Sequence, residues 1–189
     1  MSSMRLPRTI RLDPSDTFVF EHAAEPGEWA VTGSFLFADV DVGGLTGKRL
    51  AAFRSGFVGV RSLGFSTLVV VSEASEGELE EAVEQLTRHI RREFGAPSDE
   101  LARGAAREEL AVAASLCSPE INSVLAMHRT AADGEIREQF RTLVPRAGAQ
   151  APGADRLHLH ARAFALVEVD EDAPEERVDL LGLADRGGR

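Results

Sequence analysis

The stretch from Gly64 to Gly95 constrains the rest of the chain more than any other. Phe65-Ser66-Thr67-Leu68-Val69-Val70-Val71 reads as a strand with apolar residues on both alternating faces, Thr67/Val69/Val71 and Leu68/Val70. A strand of that kind belongs mid-sheet with cover on both sides. It feeds into a helix opened by Ser75-Glu76-Gly77-Glu78, a capping box in which Ser75 and Glu78 each satisfy an end amide of the other. Glu76, Glu78, Glu80, Glu81 and Glu84 come first and Arg88, Arg91 and Arg92 last, the order the helix dipole favours. Leu79, Val83, Leu86, Ile90 and Phe94 fall on one stripe, and Gly95-Ala96-Pro97 ends the helix.

The 189 residues suffice for one domain with a full core, and 43% hydrophobic with 28% charged residues is an ordinary globular balance. A formal net charge of -10 repels nucleic acid and anionic membrane, and no Lys/Arg run with interleaved aromatics reverses it locally. Nucleic-acid and membrane partners are therefore not expected. Met1 to Leu12 lacks the continuous apolar segment of a signal peptide, and no stretch approaches the ~18–20 apolar residues of a membrane span. The single cysteine, Cys117, rules out an internal disulfide. A cytoplasmic protein is the consistent expectation.

Before the central stretch, Arg5 to Ser15 reads as irregular because of Pro7 and Pro14. Thr17 to Phe20 reads as a short strand, Glu25-Pro26-Gly27-Glu28 as a turn, and Trp29 to Ala38 as a strand that pairs antiparallel with the first. Gly47-Lys48 resembles the end of a phosphate loop, but Val42 and Arg49 stand where glycine and Ser/Thr are required, so the glycines are read as turn residues. A short helix over Lys48 to Arg54 and a strand over Gly56 to Arg61 follow, with a turn at Leu63-Gly64.

After Pro97, Ser98 caps a second helix to about Cys117, with a broad arc of Leu101, Ala102, Ala105, Ala106, Leu110, Val112, Ala113 and Leu116. Its alanines permit close approach to a neighbour. Asn122 to Thr130 and Glu135 to Val144 read as a hairpin around Asp133-Gly134. Pro145 to Asp155 has linker composition, Leu157 to Val169 alternates as a last strand, and an acidic tail leads to the apolar Val178, Leu180, Leu181 and Leu183. The fold class expected is α+β: a largely antiparallel sheet with a pair of long helices packed on one face. Residues 1–146 form a single domain, 147–156 a flexible linker, and 157–189 a C-terminal strand and acidic tail completing that domain.

Three segments carry a resemblance together: Leu6 to Thr17, Gly64 to Val69, and His128-Arg129-Thr130 with Asp133-Gly134-Glu135-Ile136-Arg137. On these the chain resembles a bacterial domain-of-unknown-function family covering most of its length. The resemblance implies no activity, catalytic residue or cofactor. It implies a setting beside molybdenum or iron–sulfur redox enzymes.

Candidate chemistry is sparse. His158 and His160 share one side of a strand at a spacing that suits a metal, yet no third ligand closes the site, and a solvated polar face accounts for them. No metal centre and no cofactor are expected. Glu109 projects into the apolar arc of its helix, where a carboxylate gains a raised pKa, the condition of a general acid or base. His128, Arg129 and Cys117 are the residues placed to share a ligand site with it; the bland reading pairs Glu109 with an arginine and leaves Cys117 as a small core residue. The expected function is a non-catalytic accessory protein that binds a protein partner or a second copy of itself, docking through Val178, Leu180, Leu181 and Leu183. The alternative is a small enzyme or ligand-binding module with a pocket between helix pair and sheet.

Overall fold

The computed structural model describes residues 4–145 and 166–169. The expected class is found: helices combined with antiparallel sheets, two of the helices being long. In chain order the elements are β1 (Met4–Ile10), α1 (Ser15–Val19), β2 (Ala30–Val31), α2 (Gly47–Ser55), β3 (Phe57–Gly59), β4 (Phe65–Ser66), β5 (Leu68–Ala74), α3 (Glu76–Glu93), α4 (Asp99–Ser115), β6 (Val124–Ala132), β7 (Glu135–Pro145) and β8 (Leu166–Val169). Two 3-10 turns, Ser34–Phe37 and Val42–Gly44, lie between β2 and α2.

The chain divides into two compact units, Met1–Phe140 and Arg141–Arg189. In the first, the larger sheet runs β1-β5-β6-β7, and β2, β3 and β4 form a second antiparallel sheet. In the second, Thr142 of β7 lies opposite Val169 of β8 and Pro145 opposite Leu166. The boundary falls inside β7. The expected linker, 147–156, and residues 157–165 and 170–189 of the expected C-terminal element lie outside the described residues.

The strand predicted over residues 65–71 is two strands. Ser66 ends β4 in the small sheet and Leu68 opens β5 in the large one. Thr67 between them is held by Asp16, whose carboxylate accepts from the Thr67 hydroxyl at 2.5 Å and amide at 3.3 Å. β5 then sits between β1 and β6, with Val69 and Val71 fully buried on one face.

α3 is capped as the sequence dictates: Ser75 Oγ accepts from the Glu78 amide at 3.3 Å, and Glu78 Oε2 accepts from the Ser75 amide at 2.9 Å. Its stripe of Ala82, Val83, Leu86 and Ile90 meets Ala102, Ala106, Leu110 and Ala113 of α4. The same cluster takes in Leu6 and Ala74 of the large sheet and Val31 and Val58 of the small one. Across the rim, Arg103 reaches Glu80 at 2.6 Å and Glu84 at 3.4 Å, and Arg107 reaches Glu80 at 3.1 Å. Leu101 and Val112, predicted on the buried arc of α4, are exposed. The small residues Ala102, Ala106 and Ala113 make the close approach instead.

Three further predictions are corrected. Arg5 to Ser15 is not irregular throughout, because Met4–Ile10 pairs with β5 from Met4↔Ala74 to Ile10↔Leu68. Thr9 turns its amide and carbonyl outward to Glu28 and Gly27, so Pro7, two residues earlier, sits where its missing amide costs no ladder bond. Thr17 to Phe20 is no strand: Pro14 presets the entry, the Thr17 hydroxyl donates to its carbonyl at 2.6 Å, and α1 forms. The strand predicted from Trp29 stops at Val31, because Gly33 at φ 81 turns the backbone into the first 3-10 turn. β2 therefore pairs with β3 rather than with residues 17–20. No helix among the described residues is long and apolar enough to cross a membrane.

Candidate functional site

β6 alternates, and its inward side carries Leu125, Met127 and then Arg129, which is 0% exposed. Hydrogen bonds surround this buried guanidinium. Nε donates to Glu138 Oε1 at 2.9 Å, Nη1 to the Phe53 carbonyl at 2.7 Å, and Nη2 to the Thr32 carbonyl at 2.5 Å. Met127 Sδ lies 3.4 Å from Nη2, and the rings of Phe37 and Phe53 sit 5.4 and 5.8 Å from the guanidinium carbon. The Phe53 carbonyl belongs to the last turn of α2, where helical carbonyls lack partners and the dipole is negative, so Arg129 supplies both a donor and a matching charge.

The local sequence explains the pair with Glu138. Asp133 at φ 55 and Gly134 at φ 79 make the two-residue turn that joins β6 to β7. Such a turn sets residue 132 opposite 135 and hence 129 opposite 138, on one face of the hairpin. Glu138 keeps 17% side-chain exposure, whereas Arg129 has none. Burial pushes the Arg129 pKa down, and Glu138 and Glu109 push it back.

Glu109 reaches this neighbourhood from α4. It is half-buried, as its place in the apolar arc implies, and its carboxyl is held above the ordinary 4.5 first by burial, then by the charges of Glu138 and Glu108, with Arg129 opposing. Arg129 and Glu138 are hydrogen-bonded, and Glu109 on α4 feels the charges of both.

Of the predicted site residues, Glu109 thus feels the charge of Arg129, whose hydrogen bonds go to Glu138, Phe53 and Thr32, while the other two lie elsewhere. His128 precedes Arg129 on the strand, points to the opposite face and is exposed. Cys117 is buried among Ala30, Phe57, Val69, Val71, Leu125 and Met127, and burial pushes its thiol up to about 11. Glu138 was missed by the sequence reasoning, although the Asp133-Gly134 turn contains the register that finds it. His158, His160, Val178, Leu180, Leu181 and Leu183 lie outside the described residues. Among the described residues no group of three or more His, Cys, Asp or Glu side chains could hold a metal ion.

A second polar centre also escaped the sequence reading. Glu28 is buried and its carboxylate accepts from the amides of Glu25 at 2.8 Å, Arg61 at 3.0 Å and Ser62 at 2.9 Å. The carbonyls of the same turn are met from the other side, Arg61 by His89 Nε2 at 2.9 Å and Ser62 by His22 Nε2 at 3.2 Å. On the surface, a groove of about 450 Å³ between α3 and α4 is lined by Arg88, Arg91, Arg92 and Arg103 together with Glu84, Asp99 and Glu100. Arg91 pairs with Asp99 at 2.6 Å and Arg103 with Glu84, so much of this charge is neutralised within the groove. Among exposed apolar side chains, Leu12, Phe18 and Val19 cluster in sequence around α1, and Phe18 is 72% exposed.

These features define an α+β protein whose buried charges are tied to its own backbone. The chain belongs to a family of unknown function (DUF6505), whose model matches residues 4–162. None of the curated proteins and none of the solved structures matches it.

Proposed function

We propose that the protein is a non-catalytic accessory protein of the bacterial cytoplasm that acts by binding another protein, in the setting of a molybdenum or iron–sulfur redox enzyme. The observation that carries this reading is the commitment of Arg129. Three of its nitrogens donate to Glu138, Phe53 and Thr32 of the same chain, so the guanidinium is engaged in holding the fold rather than presented to a ligand. The buried thiol of Cys117, pushed up to about 11, supports the same view, since a protonated thiol is a poor nucleophile. The docking element of this proposal is the C-terminal run Val178, Leu180, Leu181 and Leu183, behind the acidic lead of Asp170 to Glu176. Burying one leucine on a partner is worth roughly 1.5–3 kcal/mol, so several together give a usable anchor.

The test is tagged protein expressed at native level in its own host, with and without residues 177–189, followed by identification of what co-purifies. A redox-enzyme subunit retained by the full chain and lost on truncation is the expected result. An identical set of co-purifying proteins from both forms, with unchanged melting and oligomeric state, overturns the docking role. The alternative, a small enzyme or ligand-binding module, draws its support from Glu109, a half-buried carboxyl with a raised pKa that feels the charges of Arg129 and Glu138. It then becomes the first reading.

A further inference from the structure

We draw no further inference here: the strongest candidate, the half-buried apolar sheet face on which Leu68 and Val70 of β5 lie opposite Ala126 and Val124 of β6, carries nothing because nothing in the structure shows what covers it.

Discussion

Replacing Arg129 with methionine leaves the Glu138 carboxylate and the carbonyls of Phe53 and Thr32 without the donor they share. Breaking a buried pair from one side costs about 3–5 kcal/mol, so Arg129→Met should move the urea midpoint far to lower concentration. Arg129→Lys should recover little, because one ammonium cannot match a planar fork aimed at three acceptors. An unshifted midpoint would mean that the guanidinium does not hold these elements together. Glu109 acts with the opposite sign. Its folded pKa lies above the ordinary 4.5, so the fold prefers the neutral acid and loses stability as pH rises through the raised value. Glu109→Gln should therefore melt higher than the parent at neutral pH, with the gain shrinking as pH falls toward 4.5. A gain that persists unchanged in acid would assign the effect to something other than charge. Cys117 gives a third check: its buried thiol should ignore a disulfide reagent in native protein and react once urea unfolds the chain. Much of this was legible at the level of single residues. Helical phase placed Glu109 among apolar neighbours, but His128 was grouped with Arg129 although strand alternation sends the two to opposite faces. The complete burial of Arg129 was not legible, because it depends on two carbonyls distant in sequence, at positions 32 and 53.

Two glycines show how the same substitution changes sign with the element around it. A Cβ at Gly64 would stand 2.6 Å from the Ala24 amide nitrogen and 2.7 Å from the Ala23 carbonyl, backbone atoms that cannot move aside. They are fixed by the bonds of Ala24 to the Phe65 carbonyl and of Phe65 to the His22 carbonyl, each 2.8 Å. Gly64→Ala should cost roughly 1–3 kcal/mol or more, read as a drop in melting temperature. Gly104 lies within α4 with nothing inside 4 Å of an added Cβ, so Gly104→Ala should stabilise by about 0.8–1 kcal/mol. If both changes moved stability in the same direction, the crowding assigned to Gly64 would be wrong. The long helices and the β6–β7 hairpin were readable because their signals are local: Ser75 with Glu78, Ser98 before Leu101, and Asp133-Gly134. The N-terminal elements were less so. Thr17 to Phe20 has strand-like composition, yet Pro14 and the bonds from Thr67 to Asp16 settle it as α1. Pro7 argued against a strand until the pairing of β1 put it on the outer edge.

On the scale of the whole molecule, apolar strands on both sides of a helix pair were enough to give the α+β class. They did not show that residues 65–74 serve two sheets, because the break at Thr67 depends on a carboxylate from α1. Nor did they show where the first unit ends, since the division at Phe140 lies inside β7. The net charge of -10 coexists with ion pairs of both signs along α3 and α4, so composition describes the long-range field and says little about local attachment. The pairing of β1 with β5 also has a consequence in time. Met4 finds Ala74 and Ile10 finds Leu68, so β1 leaves the ribosome before its partner, which lies dozens of residues behind it. Non-local pairing of this kind places folding in the range of roughly milliseconds to seconds rather than microseconds. Stopped-flow refolding should therefore be slow despite two well-capped helices, and microsecond folding would show that the helix pair alone sets the rate. During synthesis the nascent chain holds β1 unpaired until β5 emerges. Through that interval Pro7 leaves the outer side of β1 one amide short, while the side that β5 later covers keeps its donors.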